Sequence, residues 1–274
     1  MSARSTIWPS ALRVFDFSLG QMLWSRRSVF LGLLVGAPIL IALLVRIIVS
    51  TTGWLPAVNG SQLGGSAIFG ALIWLVFVRF VVPVLGVFYG TALMADEVDD
   101  KTITYLFTRP VPRASVLLGK YLAYLACVVL LLLPSIVIIF FLVVPLGGSI
   151  GQAFPQLAAD LGMIAVGVAA YGAVFAFVGA WLKRPLITGL VFAFGWEQAA
   201  LVIPGYLRRL TVMYYLQALV PHAMPQDSTL SVLFTVFEDR PSIGLSLACL
   251  AGIIGLALWL GGRAVENREY VLEQ

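Results

Sequence analysis

Charged side chains are scarce in this sequence: only 11% of its 274 residues are Asp, Glu, Lys or Arg, whereas 61% are hydrophobic. A soluble domain carries about 25% charged residues, and a soluble fold could not hide this much apolar surface from water. The sequence therefore predicts a polytopic membrane protein. Basic residues exceed acidic ones by only 17 to 13 and form no dense cluster, so we expect no nucleic-acid partner.

Residues that usually carry enzyme chemistry are also nearly missing. His222 is the only histidine, which excludes His-based triads and multi-histidine metal sites. Cys127 and Cys249 both lie inside apolar runs and indicate neither a disulfide framework nor a thiolate site. The Gly119-Lys120 pair is followed by Tyr121, so it is not part of a G-x-x-x-x-G-K-[ST] phosphate loop. We expect no catalytic residue, no metal and no directly bound cofactor.

What the sequence does have is apolar runs. Cutting it at its charges yields six segments long enough to cross a bilayer, which takes about 20 residues, and an even number places both termini on one side. Twelve of the 17 Lys and Arg residues fall on that side and three on the other, which predicts cytoplasmic termini and the plasma (inner) membrane. The predicted spans are 28–49, 76–95, 121–144, 161–182, 185–204 and 241–262, with an external loop over 205–240.

Residues 1–27 precede the first span and have a helical pattern of their own. Apolar residues recur there at the spacing of one helix face, which predicts an amphipathic helix in the cytoplasmic interface. The expected fold class is thus all-α integral membrane, with six transmembrane helices and an N-terminal interfacial helix. The apolar positions of the pattern are Trp8, Ala11, Leu12, Phe15, Leu19, Met22 and Leu23.

An acidic run follows the second span. Asp96, Glu97, Asp99 and Asp100 stand together there, and hard carboxylate oxygens can hold Mg²⁺ against a diphosphate. An aspartate-rich membrane transferase is therefore one alternative. Such enzymes need a second acidic cluster facing the first, and the other acids on this side are Asp16 and three near the C-terminus.

The remainder of this loop favours a partner. Its pattern predicts a short helix from Lys101 to Phe107 with apolar residues on one side, which Pro110 then stops because proline lacks a backbone donor. A short apolar-faced helix held between two spans suits a groove on a soluble partner. A solvated loop whose charges only follow the topology is the other interpretation.

The same segment resembles the ABC-2 family of ATP-binding-cassette transporter permeases. Members carry, after span 2, an acidic residue, a Thr-hydrophobic pair, a Leu, a Pro-x-x-Arg and a Gly-Lys that opens span 3. One departure is Lys101, where many members have a glycine. The matching positions here are Glu97, Thr102-Ile103, Leu106, Pro110 to Arg113 and Gly119-Lys120.

The resemblance implies a single permease domain over 1–274 with the ABC-2 (type V exporter-like) fold. It also implies that loop 96–116 is a coupling loop that docks on a separate ATPase subunit, where ATP and Mg²⁺ would bind, so that the chain is not itself an enzyme. A homodimer or paired permease and a hydrophobic or amphipathic substrate are expected; a non-transporting membrane scaffold is the remaining alternative. The implied docking residues are Glu97, Thr102, Ile103, Leu106, Phe107, Pro110 and Arg113.

Charges inside the spans are candidates for function because they are expensive there. Glu197 lies about 18 Å into the fifth span at 1.5 Å per residue, and Gln198 adjoins it. The two could line a translocation path, or Glu197 could be a protonated acid bonded to a neighbouring helix, or pair with Arg79 or Arg46. Counting back from Asp96 puts Arg79 close to the outer boundary, within snorkelling reach.

Small residues also recur at four-residue spacing in three spans. Such spacing lets membrane helices approach closely, either within one chain or between two. The three sets are Gly32/Gly36, Gly172/Ala176/Ala180 and Gly244/Ala248/Gly252.

Overall fold

The computed structural model describes residues 7–24, 26–53, 57–58, 61–62, 64–94, 113–202, 206–221 and 241–267, and most of them are helical. Two strands of two residues each, β1 (Ala57–Val58) and β2 (Ser61–Gln62), pair antiparallel. A 3₁₀ turn covers Tyr206–Leu210. The helices are α1 (Ile7–Leu23), α2 (Arg26–Thr52), α3 (Gly65–Met94), α4 (Arg113–Val143), α5 (Ile150–Trp181), α6 (185–202), α7 (Val212–Gln217) and α8 (Ile243–Asn267).

Five helices in the described part of the chain are long and apolar enough to cross a membrane. This confirms an all-α, multi-pass membrane protein. Helix α6, the predicted fifth span, is not among the five; it consists of three consecutive segments, Pro185–Leu190, Val191–Trp196 and Glu197–Val202. The five are Ser28–Thr52, Gly65–Met94, Ala114–Val143, Ile150–Trp181 and Ile243–Glu266.

The bundle has two distinguishable ends. At one end, which we call the turn end, residues 144–149 connect α4 to α5, and the Gly65 N–H donates to the Leu146 carbonyl at 2.8 Å. At the other, the α1 end, α1 lies across the start of α4 beside Gly119, and Gly261 of α8 approaches Leu117. Helix α1 and the last turns of α8 therefore lie at the same end. Which side of the membrane this end faces stays a prediction.

Several helices extend beyond the predicted spans. Helix α3 begins at Gly65 rather than at Val76, and α5 begins at Ile150 rather than at Leu161. Arg79 therefore lies near the middle of α3, and its expected place near the end of the segment was wrong. Asp160, which directly precedes the predicted span 161–182, is completely buried within α5. Counting about 20 residues from a charge fails where a helix continues past the minimum length for a span.

Glycines bring α3 and α5 together in the core. A Cβ at Gly86 would lie 2.7 Å from Tyr171 Cβ, and one at Gly90 would lie 2.8 Å from Phe175 Cβ. The predicted stripe on α5 faces the same interior, because Gly172 abuts the Tyr124 ring. This stripe thus serves packing within the chain. A Cβ at any of the four stripe glycines of the other helices would have no atom within 4 Å, so these glycines face outward: Gly32, Gly36, Gly244 and Gly252.

Helix α1 packs on α4 rather than standing apart from the bundle. Ala11 is 1% exposed, and a Cβ at Gly119 would lie only 2.5 Å from the Ala11 carbonyl oxygen. Leu12 and Phe17 lie on the opposite side and are 55% and 74% exposed. The helix thus has apolar residues on two faces, one against α4 and one free.

Candidate functional site

Polar side chains meet in the interior where α3, α5, α6 and α7 come together. We call this set the polar cluster; it comprises Arg79, Tyr171, Glu197, Gln198 and the backbone N–H of Val212. The hydrogen bonds within it join residues far apart in the chain. The two candidates that the sequence named for a translocation path, Glu197 and Gln198, are at its centre.

Glu197 is completely buried and accepts hydrogen bonds on both carboxyl oxygens. The Tyr171 hydroxyl donates to Oε2, and the Val212 N–H donates to Oε1 at 3.1 Å. Val212 is the first residue of α7, so the carboxyl group also lies at that helix's positive end. Thr211 completes this N-terminus, because its hydroxyl accepts from the Tyr214 N–H at 3.3 Å. One side chain thereby joins α6 to α5 and to α7.

Gln198 binds Arg79 on the neighbouring side of α6. Arg79 Nε and Nη2 both donate to Gln198 Oε1, at 3.0 and 2.8 Å. Consecutive residues of a helix point in different directions, so the carboxyl group of Glu197 faces α5 while the amide of Gln198 faces α3. Arg79 and Gln198 are both partly exposed.

The hydrogen bonds decide between the ways in which Glu197 could be held. Its described partners are a hydroxyl and the backbone N–H groups that begin α7, as expected of an acid bonded to neighbouring helices, and not Arg79 or Arg46. Arg46 instead donates to the carbonyls of Phe141 and Leu142, at 3.3 and 2.9 Å, where α4 ends. A cation at this position satisfies carbonyls that the helix cannot bond internally.

Wide helical turns flank the contact between Arg79 and Gln198 on both sides. Ile73–Val81 is a π-helix that contains Arg79, and Val191–Trp196 is a π-helix that ends directly before Glu197. The Val82 N–H donates to the Phe77 carbonyl, five residues back, as π-geometry requires. Pro83 follows and cannot donate. Such segments are rare and recur at functional sites.

The partly exposed side of this contact is otherwise apolar. Leu75 and Phe80 on α3 are 50% and 48% exposed, and Val191 and Phe194 on α6 are 65% and 37% exposed. The Phe80 and Phe194 rings lie 6.0 Å apart, and these residues adjoin Arg79 and precede Gln198 by one helical turn, respectively. We call these four residues together with Arg79 the Arg79 face. It presents one cation inside a hydrocarbon-like surface.

The predicted coupling residues lie almost entirely outside the described part of the chain. Of them, the structure places only Arg113, as the first residue of α4. The acidic run 96–100 also lies outside. Among the residues that the structure describes, no three His, Cys, Asp or Glu side chains come together as a metal site. The unplaced coupling residues are Glu97, Thr102, Ile103, Leu106, Phe107 and Pro110.

Sequence reasoning missed two buried polar residues: Tyr171, which belongs to the polar cluster, and Asp160, which lies elsewhere on α5. Tyr171 gave no signal, because a tyrosine inside an apolar run is compatible with simple core packing. Asp160 did give one, since it is an acid with apolar residues on both sides, but cutting spans at charges moved it outside the membrane segment. Treating it like Glu197, as an acid within a longer helix, would have found it.

Comparison with known proteins adds one match. A protein-family model described as "ABC-2 family transporter protein" matches residues 46–260. A search of curated proteins found no match. The matched region runs from within α2 to within α8 and contains the whole polar cluster.

Proposed function

The chain belongs to the ABC-2 family of transporter proteins, and from this we propose that it is the membrane-spanning permease subunit of an ATP-binding-cassette transporter. The match over residues 46–260 is the observation that carries the proposal. The multi-pass bundle agrees with it, since five described helices can each cross a membrane. Permeases of this family pair in general with an ATP-binding subunit, which here would hold ATP and Mg²⁺.

We propose six spans, with α6 as the fifth. Residues 185–202 measure about 27 Å at 1.5 Å per residue, close to the ~30 Å thickness of the hydrocarbon core. Helix α6 begins at the α1 end, since Gly189 approaches Val87 and Phe175, and it meets the N-terminus of α7 at Glu197. The excess of basic residues supports the α1 end as cytoplasmic, in the plasma (inner) membrane.

The partner ATPase would dock on loop 96–116. This loop joins two helices that are firmly packed where it attaches: Leu93 and Met94 are 2% and 1% exposed, and Val116 and Leu117 are equally buried. A displacement of the loop would therefore move α3 and α4 as bodies rather than bend free ends. Because α3 carries Arg79, such a displacement reaches the polar cluster. Coupling requires that the ATPase contacts differ between two states of the bundle.

The cargo we propose is hydrophobic or amphipathic, and its path would run along Gln198, with Glu197 behind it as the residue that holds α6 in place. The partly exposed amide of Gln198 and the surrounding apolar side chains support this. Two copies of the chain, or this chain and a second permease, would complete the transporter. Outward-facing glycines on α2 and α8 leave both helices free for such contacts.

Docking can be tested on the loop itself. Leu106→Asp and Phe107→Asp should each abolish co-purification with the ATPase, because an apolar contact surface gains a charge. Stimulation of the ATPase should be lost with it. Leu210→Asp is the matched control: this leucine is 70% exposed in the 3₁₀ turn that follows α6, outside loop 96–116, and its replacement should leave ATPase binding intact.

Three outcomes would contradict the proposal. Unchanged ATPase binding and transport in both loop variants would show that loop 96–116 is not the docking surface. ATPase binding without any stimulation would indicate a scaffold, and Mg²⁺-dependent transfer by the pure chain would indicate the transferase.

A further inference from the structure

We propose that Arg79 is the binding site for the anionic group of the transported amphiphile: a carboxylate or phosphate joined to a hydrocarbon chain. The inference rests on the proposed permease function and narrows its substrate class. It follows from where Arg79 lies, what holds it, what surrounds it and which charges are kept away from it.

Arg79 lies at membrane depth and cannot reach the headgroups from where it is bound. It is about 22 Å from Met94, and Gln198 is about 20 Å from Pro185, at 1.5 Å per residue. Both residues therefore fall inside a hydrocarbon core of about 30 Å. The guanidinium is fixed sideways to Gln198 rather than directed along the helix, since both Nε and Nη2 donate to the same amide oxygen.

The guanidinium keeps binding capacity for a ligand. Arginine has five N–H groups, and Gln198 Oε1 takes one from Nε and one from Nη2. The others have no acceptor in the part of the chain that the structure describes, and Arg79 forms no ion pair there. Gln198 is neutral, so it orients the guanidinium without cancelling its charge. A fork of N–H groups of this kind matches the two oxygens of a carboxylate or phosphate.

The acid next to Gln198 is held away from this cation. Glu197 is adjacent to Gln198 in sequence, but both of its carboxyl oxygens are bonded on the other side of α6, to Tyr171 and to the Val212 N–H. Glu197 is completely buried, whereas Arg79 is partly exposed. The polar cluster thus separates one acid and one base that could otherwise neutralise each other. The positive charge stays available on the Arg79 face.

The surroundings suit a hydrocarbon chain rather than a free inorganic ion. Leu75, Phe80, Val191 and Phe194 are all at least 37% exposed and form the apolar part of the Arg79 face. A charge left unpaired against lipid here is unfavourable. An amphiphile satisfies both parts of the surface, since its anionic group pairs with Arg79 while its chain lies along the apolar side chains.

A second copy of the chain does not replace this ligand. A two-fold partner that used the same surface would bring a second Arg79 towards the first, and the described part of the Arg79 face holds no acid to compensate them. Two facing arginines would still need an anion between them. The π-helices on both sides of the contact, Ile73–Val81 and Val191–Trp196, give the two helices the wide turns that recur at functional sites.

Binding can be measured on the purified full-length chain in nanodiscs. The probe is a pyrene-labelled hexadecanoate, compared with its methyl ester, which has the same chain but no charge. We expect the wild-type protein to bind the acid about tenfold or more tightly than the ester, since a hydrogen bond to a charged group is worth at least that factor. Equal binding of acid and ester would overturn the proposal.

Two variants and one control locate the effect. Arg79→Gln should reduce preference for the acid to about that of the ester, and Gln198→Glu should do the same with Arg79 still present, because the new carboxylate would pair with it. Arg46→Gln removes another arginine of the bundle, one bound to backbone carbonyls, and should leave the preference unchanged. If both site variants elute as folded particles and still prefer the acid over the ester as strongly as the wild type does, Arg79 is not the binding site.

The lipid composition of the nanodisc separates two sources of the anion. Loss of probe binding when phosphatidylglycerol replaces phosphatidylcholine identifies an anionic membrane lipid as the occupant, whereas unchanged binding identifies a separate amphiphile; the site stands in either case. The assay needs no ATPase. If Leu106→Asp and Phe107→Asp both kept ATPase binding and transport, the permease proposal would be contradicted. The probe-binding result would be unaffected.

Discussion

The Tyr171 hydroxyl donates a hydrogen bond to the carboxyl group of Glu197 in the interior of the bundle, and both side chains are fully buried. This bond joins α5 to α6. Because the second oxygen of the same carboxyl group accepts the Val212 N–H, it also fixes the N-terminus of α7 against α6. The position of Gln198 beside Arg79 depends on this arrangement, since Glu197 and Gln198 are neighbours on one helix.

Removing the Tyr171 hydroxyl should destabilise the folded protein. Tyr171→Phe leaves a buried carboxyl oxygen without its donor, and we expect a loss of about 1–3 kcal/mol in the free energy of unfolding. Thermal unfolding in detergent measures it. The matched control is Tyr215→Phe, because the Tyr215 hydroxyl donates to the Arg209 carbonyl in an exposed setting and should cost about 0.5 kcal/mol or less. Equal losses of stability in the two variants would show that the buried hydrogen bond contributes no more than the exposed one.

Glu197→Gln tests whether the carboxyl group is needed to hold α6 in place. The amide keeps an acceptor for one of the two donors but introduces an N–H group that faces another donor, so we expect lower stability and reduced transport. Combining it with Tyr171→Phe should give a coupling of about 0.5–3 kcal/mol, as for residues in one hydrogen-bond network. Unchanged transport and assembly in Glu197→Gln would show that Glu197 is not needed to hold α6 in place.

A side chain at Gly119 should displace α1 from α4. The Cβ of Gly119→Ala would lie 2.5 Å from the Ala11 carbonyl oxygen and 2.8 Å from Val14 Cβ, and overpacking of this kind costs about 1–3 kcal/mol. We expect faster proteolysis within α1. Gly20→Ala on α1 itself is the control, because no atom lies within 4 Å of a Cβ there. Equal proteolysis of both variants would show that the close approach of α1 is not needed.

Loss of Arg46 should weaken the turn end of the bundle. Its guanidinium satisfies two carbonyls at the end of α4, so Arg46→Met should lower the free energy of unfolding by about 0.3–1 kcal/mol. Arg209→Met replaces an exposed arginine in the 3₁₀ turn and serves as the reference. A loss no greater than that of the reference would mean that Arg46 does not stabilise the end of α4.

Orientation can be tested with single cysteines at opposite ends of the bundle. Tyr206 is 79% exposed beyond α6, and Phe17 is 74% exposed on α1. With Cys127 and Cys249 replaced by alanine, Tyr206→Cys should react with a membrane-impermeant maleimide in intact cells, whereas Phe17→Cys should react only after permeabilisation. The reverse pattern would place both termini outside.

The class of protein and its site candidates followed from local chemistry. Long apolar runs with few charges require a bilayer, however the helices that they form are arranged. An acid such as Glu197 inside such a run differs clearly from its sequence neighbours. The family resemblance likewise depended on a short ordered motif around Glu97, Leu106 and Gly119. None of these inferences needed to know which helices are neighbours.

The ends of the helices, and which helices are neighbours, could not be predicted from local sequence. Helix α3 starts at Gly65 because its first turn packs on the carbonyls that end α4, a contact between segments far apart in sequence. Arg79 and Gln198 are 119 residues apart, and their meeting depends on how α3 and α6 are rotated. The stripes of small residues looked alike in sequence, yet one is internal and two face outward.

The free energy of transferring a residue from water to hydrocarbon depends almost entirely on that residue and its sequence neighbours. The sequence was therefore enough to place this protein in a membrane and to mark Glu197 and Gln198. A hydrogen bond instead depends on distance and angle between groups on different helices. For that reason the pairing of Glu197 with Tyr171, the separate pairing of Gln198 with Arg79, and the availability of the Arg79 charge emerged from the packed bundle.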